Sequence, residues 1–177
     1  YDFSGDQNSV ISADYPFTLK DFYVFGEFAR SQNNAYAFIN GVSVALAPQM
    51  HLTAVYRNYA KDYFSFYGDA FAEGNTVNEK GIYIGTEIYP VKNWKISAYY
   101  DNYKFPWLRY NVDAPSHGND YLVQVDFTPT RKFNMYWRYK DEQKQVSLKQ
   151  EDQNNEKLDL NIVRKLRYHL VYAVSDE

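Results

Sequence analysis

Apolar and polar side chains alternate with a period of two residues along most of the chain, and no segment keeps the i, i+3, i+4, i+7 spacing of an amphipathic helix. The alternation is clearest in GIYIGTEIYPVKNWKISAYYDNY, residues 81–103, where two alternating segments flank a short turn. The sequence therefore predicts an all-β fold in a single domain over residues 1–177. Nine strands are expected, at about 8–16, 21–30, 35–46, 51–60, 80–89, 94–103, 119–127, 133–143 and 158–173.

Each predicted strand has one apolar face and one mixed, polar face. In a soluble sandwich the apolar face would pack on a second sheet, whereas in a membrane barrel it would contact lipid. The residues expected to face lipid in a barrel are Ile82, Ile84, Ile88, Trp94, Ile96, Val123, Val125, Met135 and Trp137. Those expected to face its lumen are Glu87, Lys95, Asp101, Asp126, Arg138, Arg167 and His169.

The connections between the predicted strands alternate between short and long. Tight turns are expected at 18–20, 47–50, 90–93 and 128–132. The opposite edge carries the short SQNN connection and three long connections, 61–79, 104–118 and 144–157. Short turns on one edge and long loops on the other are typical of bacterial outer-membrane barrels, and a Greek-key sandwich does not produce this asymmetry regularly.

Three further features favour lipid over a second sheet. Strands of about ten residues, tilted near 45°, cover the roughly 25 Å apolar band of a barrel. The polar face carries charges of both signs, which suits a hydrated lumen. Aromatic residues cluster at strand ends, where they would lie at headgroup level: Tyr89, Trp94, Tyr100, Tyr103, Phe127, Phe133 and Tyr139. The sequence thus predicts an antiparallel up-and-down transmembrane β-barrel. Because bacterial single-chain barrels have an even number of strands, nine strands indicate an incomplete portion of a larger barrel.

Composition excludes several classes of function. The chain has no cysteine, so neither a disulfide framework nor a thiolate metal site is available. Its formal net charge of −3 is spread without a basic block, and we therefore expect no nucleic-acid partner. No run of about eighteen apolar residues is present, so the sequence predicts no transmembrane helix.

The sequence does not predict a catalytic or cofactor site. His51, His117 and His169 have no spacing that suggests a shared metal ion. A serine–histidine–acid site that uses His169 on the polar face is an alternative, but no serine stands in a nucleophile motif. We therefore expect a protein that is not an enzyme and that carries no cofactor.

The long loops are the best functional candidates because they place aromatic rings at the strand ends. The candidate residues are Tyr63, Phe64, Phe66, Tyr67, Phe71, Phe105, Trp107, Arg109 and Tyr110. These rings could extend the aromatic girdle, fold inward as a plug, or form a rim that binds a partner protein or glycan. We expect loops 61–79 and 104–118 to pack together as a cap through Phe64, Phe66, Phe71, Phe105 and Trp107.

A series of motifs covers about half of the chain, in the order YRNY, GDAFAEG, NEKGIYIG, KFPWLRY, DAPS and MYWRYK. In this order the chain resembles the barrel-like C-terminal region of a family of Bacteroidota envelope proteins that carry helix-hairpin-helix repeats upstream. The resemblance implies a barrel fold and an outer-membrane location in a Gram-negative bacterium. The repeats themselves are absent from these 177 residues, so no DNA-binding residue is carried over.

Two functions of different classes follow from these observations. The first is a non-enzymatic outer-membrane barrel that acts as a pore, a scaffold or a subunit of an envelope or secretion assembly, with the lipid bilayer and other envelope proteins as partners. The alternative is a soluble all-β binding module that recognises carbohydrate or protein through exposed aromatic residues.

Overall fold

A computed structural model describes residues 6–147 and 158–174 of the protein. The strands are β1 (Val10–Leu19), β2 (Phe22–Ser31), β3 (Tyr36–Ala47), β4 (Met50–Tyr59), β5 (Glu79–Ile88), β6 (Trp94–Phe105), β7 (Ser116–Thr130), β8 (Phe133–Ser147) and β9 (Leu158–Tyr172). They form one open antiparallel sheet in chain order, with β1 and β9 at its edges. The prediction of an all-β, up-and-down fold with nine strands is confirmed. No helix long and apolar enough to span a membrane occurs in these two described ranges.

Two predicted turns were wrong, and strands β1, β7 and β8 extend three or four residues beyond their predicted limits. Leu19 pairs with Phe22, so the first turn is Lys20-Asp21 rather than 18–20, and Lys20 takes a left-handed φ of 52° that suits a two-residue hairpin. Strand β7 continues to Thr130 through a register shift that accommodates Pro129. Strands β7 and β8 are therefore longer than predicted. Residues 148–157 of the predicted polar connection lie outside the described ranges.

The strand register separates the sheet into two faces with different chemistry. On what we call the apolar face, Ile88, Ile96, Val125 and Trp137 lie in one row of paired residues. All nine residues that the sequence assigns to lipid lie on this face. On the polar face a parallel row contains Glu87, Ser97, Gln124, Arg138 and Arg167. All seven residues assigned to a lumen lie on that face.

The edge that carries the short turns is inclined relative to the hydrogen-bond rows. The row of paired residues that starts at Phe22, the first residue of β2, ends at Tyr139 of β8. Tyr139 lies six residues along β8 from Phe133, the first residue of that strand. Six residues along the strands correspond to about 20 Å, and six strand spacings correspond to about 29 Å. The strands are therefore tilted by about 35° from the normal to the turn edge, within the range found in barrels.

Burial in this sheet is reversed relative to a soluble sheet. The buried apolar cluster lies beneath the connection between β4 and β5 and contains Ala29, Ala35, Ala37, Tyr59 and Tyr63. Among the described residues of the apolar face, many large side chains are exposed. Ile82 is 52% exposed, Trp137 is 56% exposed and Leu166 is 76% exposed. The polar face is thus the one that the chain itself covers.

Candidate functional site

The segment 60–78, which we call the covering loop, folds back over the polar face. Near β4, the Tyr59 hydroxyl donates a hydrogen bond of 2.8 Å to the carbonyl oxygen of Phe71. At the far side, the Glu73 carboxylate accepts a charged hydrogen bond from Lys144 on β8. The loop therefore reaches across β5, β6 and β7, and its contacts connect parts of the sheet four strands apart.

Under this loop, Arg57 on β4 forms ion pairs with two carboxylates. Its Nε donates to Glu79 Oε1 at 2.5 Å, and its Nη1 and Nη2 donate to Asp101 Oδ1 and Oδ2 at 2.8 and 3.1 Å. The side chains of Arg57 and Glu79 are fully buried, and Asp101 is nearly so. Because a buried charge is tolerated only when it is paired and hydrogen-bonded, this two-sided pairing is what allows Arg57 to lie inside.

Glu79 also fixes the backbone of the covering loop. Its two carboxylate oxygens accept hydrogen bonds from the amide N–H of Glu73, both at 3.1 Å, and Oε2 accepts another from Gly74 at 3.3 Å. The ring of Phe71 lies 5.0 Å from the Arg57 guanidinium and packs edge-on against Tyr83 at 5.3 Å. A single carboxylate thus connects the ion pair of the sheet to the loop that covers it.

Glycines opposite large side chains make room for this arrangement. Arg57 is paired directly with Gly81, and a Cβ at Gly81 would lie 2.5 Å from Arg57 Cζ. Tyr103 is paired with Gly118 in the same way, with a contact of 2.7 Å. The absence of a side chain at each glycine allows the larger partner to lie flat on the neighbouring strand.

Ion pairs continue across the polar face to β8. Lys140 contacts Asp120 at 2.9 Å and Glu142 at 3.4 Å, and the Tyr99 hydroxyl donates to Asp120 at 3.1 Å. Lys144, which binds Glu73 of the covering loop, also lies 3.7 Å from Glu142. Charges of both signs therefore form a belt from β4 to β8.

The second loop, residues 106–115, meets the covering loop through polar contacts. Asn78 donates to the carbonyl oxygens of Trp107 and Leu108 at 2.9 and 3.1 Å and accepts from the Trp107 amide at 2.9 Å. Lys61 lies 4.3 Å from the Trp107 ring. The two loops are joined as predicted, but these contacts involve an asparagine and a lysine rather than a common cluster of rings.

The predicted aromatic loop residues divide between inward and outward positions. Phe64 packs edge-on against Phe66 at 4.9 Å, and Phe105 packs against Tyr103 at 5.7 Å. Tyr63 is buried, whereas Tyr67 is 98% exposed and Tyr110 is 92% exposed. Some of the predicted loop residues, such as Tyr63, thus fold inward, whereas the side chains of Tyr67 and Tyr110 are exposed to water or to a partner.

Burial changes the electrostatics of two loop side chains. It lowers the pKa of the Arg109 guanidinium below its ordinary value, although the charges of Tyr103, Glu73 and Glu79 act in the opposite direction. Arg109 lies 4.2 Å from the Phe105 ring and donates to the Gln145 carbonyl oxygen at 2.9 Å. Burial raises the pKa of the Tyr63 hydroxyl above its ordinary value.

Sequence reasoning identified Asp101 on the polar face but missed its partners Arg57 and Glu79. The one sequence feature that could have indicated this site is a long cationic side chain, Arg57, opposite a glycine, Gly81, on the next strand. This feature can be recognised only when the strand register is known. The structure places His169 against Tyr136, with the two rings stacked 5.0 Å apart. No group of histidine, cysteine, aspartate or glutamate side chains that could hold a metal ion occurs within residues 6–147 and 158–174.

No family model, curated protein or solved structure matches the chain. The resemblance to Bacteroidota envelope proteins therefore stays a prediction from the motifs.

Proposed function

We propose that the chain forms part of the wall of an outer-membrane β-barrel, with the apolar face in lipid and the polar face toward the lumen. The observation that carries this proposal is the inverted burial of the sheet. Large apolar side chains cover one face and remain exposed, while the chain covers its own charged face with a loop. A continuous exposed apolar surface of this kind indicates contact with a membrane or a partner.

The dimensions of the apolar face support a lipid environment. On β5 this face runs from Ile88 through Ile84 to Ile82 and becomes charged at Lys80, eight residues from Ile88. Eight residues span about 26 Å along a strand, or about 22 Å along the membrane normal at a tilt of 35°. This height is close to the roughly 25 Å apolar band of bacterial barrels.

The open edges favour a barrel with more than nine strands. Strands β1 and β9 run in the same direction, because eight antiparallel steps separate them. An odd number of additional strands would close the sheet with antiparallel pairs throughout. Since unpaired backbone groups are costly in hydrocarbon, the nine strands are one portion of a larger closed wall.

The covering loop defines the role that we assign to this barrel. It folds across the lumen side and is held at Glu73, whose amide donates to Glu79 and whose carboxylate accepts from Lys144. We assign the protein a non-enzymatic function as a plugged pore, a scaffold or a subunit of an envelope or secretion assembly. The assignment to the Bacteroidota outer membrane rests on the order of motifs in the sequence.

A soluble module that binds carbohydrate or protein is the second candidate. The almost fully exposed rings of Tyr67 and Tyr110 favour it, since exposed tyrosines often form the centre of binding surfaces. In that case the apolar face would be covered by protein rather than by lipid.

Flotation with lipid vesicles distinguishes the two candidates. The purified chain, refolded in the presence of vesicles, should float with them and resist extraction by carbonate or urea. It should also migrate differently on a gel before and after heating. A chain that stays soluble and monomeric without detergent, and that sediments apart from the vesicles, would exclude the membrane assignment.

A further inference from the structure

Arg30, Lys80 and Lys104 lie beyond the apolar residues of their strands on the apolar face, whereas Arg164 interrupts the apolar residues of β9 between Ile162 and Leu166. Among the strand residues that the structure describes, this face carries the cations Arg30, Lys80, Lys104 and Arg164 and the single carboxylate Asp141. Arg30, Lys80 and Arg164 each lie eight residues from the last apolar-face residue at the turn edge of their own strand. Arg30, Lys80 and Arg164 therefore lie at similar heights, and Lys104, which lies ten residues from Trp94 on β6, is paired with Lys80. We call these four cations the basic collar.

Two members of the collar have partners within the protein. Arg164 donates to Asp141 at 2.7 Å, and Arg30 donates to the Asn34 side chain at 2.8 Å. Lys80 and Lys104 differ, because they face each other directly across β5 and β6. Their Cβ atoms are separated by about 5 Å, an arrangement in which like charges destabilise a sheet.

The strands that flank this lysine pair place no carboxylate beside it in the row of paired residues. Along the row of paired residues, Lys80 is flanked by Asn58 and Lys104 by His117, so neither neighbour is a carboxylate. On the turn side of Lys80 along β5, the exposed side chains of Ile82 and Ile84 follow on the same face. The pair thus combines two adjacent ammonium groups with an apolar surface directly below them.

We propose that Lys80 and Lys104 bind the phosphate group of an anionic membrane lipid whose hydrocarbon chains lie along Ile82 and Ile84. A phosphate between the two ammonium groups relieves their mutual repulsion, and lysine side chains reach readily toward headgroups at the edge of an apolar band. This inference rests on the proposed membrane location. It adds a preference for anionic lipid at one position around the barrel.

The test uses the folded protein in nanodiscs that contain phosphatidylcholine with a small fraction of lipid A or phosphatidylglycerol. Lipids that remain bound after gentle extraction are quantified by native mass spectrometry. The wild-type protein should retain the anionic lipid in preference to phosphatidylcholine by about 25-fold, because each lysine contributes a factor of about five. The Lys80→Gln/Lys104→Gln variant should lose most of this preference.

A matched control variant, Lys95→Gln/Lys165→Gln, removes the same charge from the polar face and should keep the wild-type preference. Equal retention in both double variants would overturn the proposal.

Inorganic phosphate is added in a separate arm. Failure of millimolar phosphate to displace the lipid supports a lipid site, whereas displacement at that concentration shows a site for free phosphate and overturns the assignment to lipid. Failure of the membrane location itself would appear earlier, as a protein that does not enter the nanodisc.

Discussion

Arg57 and Asp101 form a bidentate ion pair across two strand spacings of the polar face, with both guanidinium Nη atoms bound to the carboxylate oxygens. The pair is shielded from water by the covering loop, whose backbone is held by Glu79, the second partner of Arg57. The sheet and the loop thus share one buried electrostatic unit, and removing Arg57 leaves both Glu79 and Asp101 without a counter-charge.

The substitution Arg57→Met should destabilise the protein by about 3–5 kcal/mol, because Glu79 and Asp101 would remain buried without a counter-charge. The free energy of unfolding, measured by denaturant titration in detergent or lipid, checks this. Arg138→Met is the matched control, since Arg138 lies on the same face but outside the covered region and bonds to Gln124. Equal losses in the two variants would contradict a special role for Arg57.

Gly81→Ala should cost about 1–3 kcal/mol, because the new methyl group would meet a guanidinium that three hydrogen bonds hold in place. Gly74→Ala is the control, since no atom lies within 4 Å of a Cβ at that position. Its effect should stay within about 0.5 kcal/mol. Thermal unfolding of the two variants measures the difference, and a neutral Gly81→Ala would show that Arg57 does not lie against this strand.

Lys144→Met should loosen the covering loop without unfolding the sheet, because it removes the charged hydrogen bond to Glu73. Hydrogen exchange at the amides of Glu73 and Gly74 reports the opening of the loop directly. The free energy of loop opening should fall by about 1–3 kcal/mol. Lys95→Met, which breaks the more exposed pair with Glu87 at 3.5 Å, should leave this exchange unchanged. Unaltered exchange in Lys144→Met would show that the loop does not depend on this contact.

Ile96→Arg should destabilise the membrane-inserted state by about 1–2 kcal/mol, because it places a charge within the apolar face, two residues from the start of β6 at the turn edge. Ser97→Arg introduces the same side chain one residue later, on the polar face near Glu87, and should be tolerated. Folding yield into vesicles compares the two variants. A larger loss with Ser97→Arg would reverse the assignment of the faces.

The number of strands and their two faces could be predicted because alternation depends only on which side of the sheet each residue takes. Strand ends were harder to predict. Residues 116–118 and 144–147 continue β7 and β8 through backbone pairing, but their side chains are mostly polar and the sequence therefore assigned them to the connections. The turn at Lys20 carries neither glycine nor asparagine to signal its left-handed backbone.

The covered ion-pair network could not be predicted for a different reason. Alternation places Asp101 on the polar face but does not show what lies above it. The loop that buries the network is positioned by contacts between distant parts of the chain, such as Glu73 with Lys144, which are 71 residues apart. Arg57 also needs the exact register that sets it opposite Gly81.

The most direct test of the account is whether the apolar face contacts lipid. The chain has no cysteine, so single cysteines can be introduced and each labelled with a fluorophore. The positions are Ile96 and Val125 on the apolar face and Lys95 and Gln124 on the polar face. In vesicles that contain brominated lipid, the labels at Ile96 and Val125 should be strongly quenched and those at Lys95 and Gln124 weakly. Equal quenching at all four positions, or stronger quenching on the polar face, would contradict the account.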